Sequence, residues 1–343
     1  MSAAVDAAPT RTARPPQEWE LRPLVRARTI AIALAIAVLL AISGKRMEID
    51  RLLRDTGEYA LAGVGLKESS SIGRSTERFV DGLLPFQIGS RTETALIQDF
   101  DRERLPWFSR IEQQRTVQPV LDPETLTMSE RVEIQEVLVE PIGYLGHVLV
   151  LMVKTIEIAL WATLLALLVS LPVAFLGASN LTPHRSFYSV ARGISSFLRA
   201  MPELILAMVF VLAFGFGPIA GILALGLHSA GFFGKFFADD IENADRGPQE
   251  ALTAAGAGRL TMLRFAIIPQ VWPQFVAYLQ YILERNIRTA TVIGVVGAGG
   301  IGLELKGRFE MFNYHHVSTI LLVIFLTVVL LEAVVGRLRA KLI

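Results

Sequence analysis

The chain contains no cysteine, which excludes a disulfide framework, a thiol nucleophile and any cysteine-ligated metal site. Charge is also scarce, at 19% Asp, Glu, Lys and Arg against 52% apolar residues. That is too little polar material to coat a soluble core of 343 residues, and mean hydropathy is positive, so the composition points to an integral membrane protein. The net charge of +1 is neutral on nucleic acid. The basic residues cluster beside apolar runs, however, which marks topology and not a DNA-binding face, so no nucleic-acid partner is expected. No G-x-x-x-x-G-K-[ST] loop occurs, so any ATP hydrolysis tied to this chain takes place on another polypeptide. No nucleophile–base or paired His and carboxylate constellation suggests a membrane enzyme, and no inverted repeat of the spans suggests an ion-driven transporter. His228 has no second ligand at metal spacing, so it reads as a satisfied core histidine and no metal site is expected.

What is present is a series of apolar runs. Residues 1–23 are rich in Ala, Pro and Arg and read as a disordered tail. Residues 24–44 read as a first transmembrane helix. Ala41-Ile42-Ser43 resembles a signal-cleavage site, but the long lead and the Lys45-Arg46 pair that follows favour a retained span. Residues 45–146 are polar, with no run long enough to cross a bilayer, and form a loop or small subdomain; Ser129 to Glu140 within them reads as an amphipathic helix. Further spans are expected at about His147 to Ala178, Ala200 to Phe214, Ile219 to Phe237, Pro273 to Val296 and Val317 to Val335. The fold class is therefore all-α with about six transmembrane helices. If the amino terminus is cytoplasmic, short inside segments carry about fifteen Lys or Arg against about two outside. Both termini are then cytoplasmic and the 45–146 segment extracytoplasmic.

One polar island interrupts the second half, from Asp239 to Pro269. Gly247-Pro248 predicts a helix start, since proline at the first helical position loses no hydrogen bond. Glu250 then suits the first turn, and Gly256 supplies a left-handed stop after Ala255. The expected helix, about 12 Å long, is marginal in water alone and needs something to hold it. Charge placement makes it cytoplasmic.

Two features lie inside the spans. Lys154 and Glu157 are three apart on one helix face and either neutralise each other or line a polar path. Glu284, Arg285, Asn286 and Arg288 fall in the fifth span, where a charge is costly unless it faces protein or water; Glu284 and Arg288 also have the i, i+4 spacing of a structural pair. Gly297-Ala-Gly299-Gly300-Ile-Gly302 satisfies G-x-G-x-x-G, but membrane sequence from Leu321 replaces the helix, strand and acidic residue of a dinucleotide fold. The glycines instead suit a sharp re-entrant turn or close helix approach at the outer end of the fifth span.

Glu250-Ala251-Leu252, Gly256 and Ile268-Pro269 resemble the cytoplasmic E-A-A, three residues, G, nine residues, I-x-L-P signature of the membrane subunits of binding-protein-dependent ABC importers. Leu252 and Ala266 depart from it, apolar for apolar. Ala254-Ala-Gly-Ala257, Glu284-x-Asn286-x-Arg288-x-Ala290-Thr291 and Val295 to Gly302 are similar, more narrowly, to phosphonate importer permeases. The resemblance covers about residues 147–343 and the first span. It implies a type I, methionine-importer-like permease core in a bacterial inner membrane, working as a homodimer. It also implies two ATPase subunits that bind ATP and Mg, this chain holding no cofactor, and an extracytoplasmic substrate-binding protein. Gly247, Pro248, Glu250, Ala251, Ala255, Gly256 and Pro269 would couple to the ATPase. Lys154, Glu157, Glu284, Asn286 and Arg288 would line the path, where the arginine fork of Arg288, and second to it Arg285, suits phosphonate oxygens.

Overall fold

The computed structural model describes residues 27–63, 71–98, 100–121 and 128–342; the amino-terminal tail expected at 1–23 lies outside them. Two compact units divide the chain, Met1–Phe79 and Val80–Ile343. In the first, α1 (Ala27–Arg46) and α2 (Ile49–Gly63) meet at an 81° bend. Charged i, i+3 and i, i+4 pairs, Arg51 with Glu48 at 3.0 Å and Arg54 with Asp50 at 2.8 Å, line the start of α2. α3 (Ser71–Leu83) carries the chain onward.

The second unit opens with a three-stranded antiparallel sheet of order β1-β3-β2, from β1 (Ser90–Glu93), β2 (Arg110–Leu121) and β3 (Met128–Glu140). β3 corrects the helix expected over Ser129 to Glu140. Its Val132, Ile134, Val137 and Val139 are β-branched, a side-chain type that suits a pleated strand. What decides the matter is pairing with β2 from Arg110↔Val139 to Leu121↔Met128, a long-range contact that local spacing does not reveal. Val137, Leu138 and Val139 are buried. The sheet is tied to the helices beyond it, because Leu145 N donates to Ile88 O and Thr319 Oγ1 to Gln87 O, at 3.0 and 2.9 Å.

The membrane unit comprises α4 (Gly143–Gly177), α5 (Arg185–Ala200), α6 (Glu203–Phe214), α7 (Pro218–Asn243), α8 (Arg246–Ala254), α9 (Arg259–Met262), α10 (Ile268–Ile293), α11 (Ile301–Glu310) and α12 (Tyr314–Leu342). Among the described residues α4, α7 and α12 are each long and apolar enough to cross a bilayer, and three bent pairs raise the number of spans to six if each pair counts once. The third expected span is one of those pairs. α5 and α6 meet at 90°, because Pro202 has no N–H to give and forces Met201 into an extended conformation, φ −78 and ψ 122.

α4 packs along α7 through small residues. Ala159, Ala162 and Ala166 are fully buried, and a side chain at Gly226 would meet Leu165 and the carbonyl of Ala162, at 2.7 and 3.2 Å. In lipid, where apolar surface gives no net drive to associate, such close backbone approach is what holds helices together. α5 lies on α7 in the same way: a Cβ at Gly231 would fall 2.8 Å from Arg199 N and 2.9 Å from Ser195 O. We therefore expect Gly231→Ala to push α5 off α7 at a cost of about 1–3 kcal/mol, read as a lower melting temperature of the detergent-solubilised protein; an unchanged melt would mean that this contact is loose.

Candidate functional site

The polar island is built by caps and clasps. Asp245 is the N-cap of α8, its carboxylate accepting from Gly247 N at 3.1 Å, a bond that satisfies one of the helix's orphan donors. The helix thus starts at Arg246, ahead of the start read from Gly247-Pro248. Glu250 accordingly moves out of the first turn expected for it, and Pro248 sits third, where its missing N–H is still no loss. At the other end Gly256 has φ +77, with Gly256 N donating to Thr253 O and Ala257 N to Leu252 O, both at 3.0 Å. That is a Schellman stop.

The helix is held at its root, with one further contact at its far end, Thr253 Oγ1 to Met262 Sδ at 4.0 Å. Gln270 of α10 accepts from Asp245 N at 2.8 Å while its amide donates to Ala266 O at 2.7 Å. Gln249 donates to Ala244 O and Asp245 O at 3.1 and 3.0 Å. Beneath, Ala178, Ile241, Ala244, Ile267 and Val271 form a small apolar core. α8 itself has no buried residue; Pro248, Glu250, Ala251, Ala255, Gly256 and Pro269 are exposed. A cleft of about 400 Å³ separates Glu250 and Thr253 from Ser179 and Asn180 at the end of α4.

One arginine fixes the ground on which this rests. Arg192 of α5 pairs with Asp239 and, at 2.9 Å, with Glu242, and donates from Nε to the Gly177 carbonyl at 2.8 Å. Glu242 also accepts from Ser179 N at 2.7 Å. The ends of α4 and α7 and the middle of α5 are thereby joined just before the chain enters α8.

The residues expected inside the spans are distributed differently. Glu284 and Arg288 pair at 2.8 Å, with half of the Arg288 side chain exposed. Asn286 is buried; its amide donates to Thr163 Oγ1 and accepts from Ser229 Oγ, both at 2.9 Å. It thus ties α10 to α4 and α7 and presents no open polar edge of this chain. Lys154 and Glu157 are both exposed and form no pair with each other.

The glycine segment is a buried turn. Gly297, Gly299 and Gly300 have φ of 101, 83 and 71, open to glycine and rarely to others. A side chain at Gly302 would meet the Thr291 carbonyl and, at 2.8 Å, Gly294 Cα. Thr155 Oγ1 of α4 accepts from Ile301 N at 2.8 Å, and the Gly297 carbonyl accepts from Gly217 N at 3.0 Å. The first of these bonds occupies Ile301 N, a donor that a phosphate at this turn would need.

Sequence reasoning missed one cluster. Arg285 bonds Glu203 at the start of α6 and lies 3.1 Å from His228 Nε2, with Glu203 3.2 Å from the same nitrogen. The three residues are far apart in sequence and on three helices, so no local spacing announces them; Pro202 just ahead of Glu203 marks the break at which they meet.

Residues 149–342 match the family model described as binding-protein-dependent transport system inner membrane component. A protein of Stutzerimonas stutzeri named as a candidate phosphite transport system permease is 52% identical over 259 residues, 76% of this chain and 99% of that one. A second from the same organism, a phosphite transport system permease protein, is 47% identical over 188 residues, covering 55% of this chain and 68% of its own length. Among solved structures, a chain from an amino acid ABC transporter crystallised with histidines aligns with TM-score 0.51 at 17% identity, over 58% of this chain and 96% of that chain. At that identity the likeness speaks for the fold alone.

The clasp at Asp245 yields an expectation of its own. Gln270→Ala removes the acceptor for Asp245 N, costs about 1 kcal/mol of stability, and frees the root of α8. Amide exchange measured by mass spectrometry should rise in residues 245–256 and stay level in α4; equal rates across both would show that α8 is held by something else.

Proposed function

Because the chain belongs to the family of binding-protein-dependent transport system inner membrane components, we propose that it is the permease subunit of an ATP-driven importer of a small phosphorus oxyanion. The observation that carries the coupling role is the state of α8: capped at both ends, clasped at its root and free of buried side chains. A nine-residue helix is marginal in isolation, and its exposed Ala251, Ala255 and Gly256 allow close approach by a partner. That partner is an ATPase subunit, two of which serve a dimer of this chain and hold ATP and Mg.

In this reading both termini and α8 face the cytoplasm, and an extracytoplasmic binding protein delivers the anion to the other side. ATP-driven closure of the ATPase pair displaces α8, and rigid helices carry the displacement to the gate. The oxyanion class follows from the phosphite names of the two relatives above. It also fits an arginine left half exposed in a span: Arg288 offers a fork to oxygen, while its Glu284 partner keeps the attraction weak enough for release. Lys154 and Glu157, exposed in α4, face the second copy or water.

Two variants test this. Ala255→Glu places an unpaired carboxylate in the docking face; substrate-stimulated ATP hydrolysis of the reconstituted complex should fall by about tenfold or more while membrane insertion persists. Normal stimulation would sink the docking assignment. Arg288→Gln should slow phosphite uptake by about tenfold, roughly one charge-assisted contact, with assembly intact. An unchanged rate would reduce Arg288 to a partner of Glu284. Calorimetry of the cognate binding protein with phosphite, phosphonates and phosphate then fixes the cargo, and tight binding of an amino acid in their place would overturn the oxyanion reading.

A further inference from the structure

α5 climbs along α7 from Asp239, where Arg192 is bound, to Gly231, against the backbone of Ser195 and Arg199. It ends at the knee beside His228, about 22 Å along α7 from Asn243 at 1.5 Å per residue. α6 has 12 residues, about 18 Å, too short for a hydrocarbon layer of about 30 Å. The knee therefore lies inside the bundle, where ionisable groups mark function by default.

His228 Nδ1 is 2.9 Å from the Met201 carbonyl. A carbonyl can only accept, so Nδ1 carries a proton, while Nε2 sits between Arg285 Nη2 at 3.1 Å and the Glu203 carboxylate at 3.2 Å. The same Nη2 bonds Glu203. The Arg285 guanidinium lies 4.8 Å from the centroid of Phe232, and the Arg199 guanidinium 5.7 Å from the same ring. Among the described residues no carboxylate pairs with Arg199. Two guanidinium groups against one carboxylate leave at least one positive charge uncompensated.

The donors to use that charge are open. Both described bonds of Arg285 leave from Nη2, so its Nε and Nη1 keep three N–H groups. They are not sealed off, because the buried side-chain polar atoms without partners among the described residues are Tyr144 Oη and Asp240 Oδ2.

We propose that this knee is an oxyanion station within the bundle, resting on the reading of the chain as a phosphorus-oxyanion permease. The anion accepts charge-assisted bonds from Arg285 Nε or Nη1 and from Arg199, both steadied on Phe232. Glu203 holds the second face of Arg285 and so keeps the station shallow, as passage requires.

The test uses the assembled permease–ATPase complex without binding protein and equilibrium binding of radiolabelled phosphite. Glu203→Gln removes the competing carboxylate and should tighten binding by about tenfold, while Arg285→Gln and Arg199→Gln should each weaken it by about as much. Arg285→Lys keeps the charge and guards against misfolding; it should bind phosphite less tightly than the parent and more tightly than Arg285→Gln. Phosphite affinity unchanged by Glu203→Gln and Arg285→Lys, with melting temperature lowered in both, would overturn the station and leave a structural ion pair. Should the complete importer carry some other solute, the phosphorus reading fails separately. The same series run with sulfate then decides the station, tightening in Glu203→Gln supporting it and constant affinity overturning it.

Discussion

The close contact of α4 with α7 is the constraint on which the rest depends. Lipid tails compete with apolar side chains for each other, so helices in a bilayer need shape and hydrogen bonds to stay together. Here the shape comes from Ala159, Ala162 and Ala166 against the Gly226 side of α7. The bonds come from the buried Thr163–Asn286–Ser229 tie that brings in α10. With the three long helices locked, the irregular pieces can be placed: the knee of α5 and α6 on one flank and the glycine turn on another.

That rigidity is what the coupling role proposed for the polar island requires. The Arg192 network joins the ends of α4 and α7 to the middle of α5, and Gln270 joins the start of α10 to the N-cap of α8. A force applied to α8 thus enters four helices at nearly one level. α8 buries none of its side chains in that core, which leaves it open to the proposed partner, and its caps hold the helix by themselves. Local order and weak attachment are here complementary properties.

Much of this was legible in the sequence, and the residues show why. Long apolar runs bounded by glycine, proline and arginine announce spans directly, since length and polarity alone decide bilayer crossing. The left-handed Gly256 and the glycines at 297, 299 and 300 were equally readable, because few other residues tolerate those angles. The α8 start shifted because Asp245, a cap, outweighed Pro248, a merely permissive residue. β3 was misread because its strand character depends on β2, many residues away, and the Glu203–His228–Arg285 cluster was invisible because three helices have to pack before the residues meet. Asn286 is the instructive case: a polar residue in a span proclaims importance, but only packing says whether its amide faces a path or holds a core.

The distribution of charge inside the bundle follows one pattern. Glu284 with Arg288 and Glu203 with Arg285 both set a carboxylate against an arginine of α10, and in each the guanidinium keeps part of its surface open. A bare arginine in a span would bind an anion and keep it; a fully buried pair would ignore it. Partial pairing lies between these limits, making an anion welcome without trapping it. Arg285 and Arg288 are three apart and so share one side of α10, the first paired with Glu203 at the knee and the second half exposed beside Glu284.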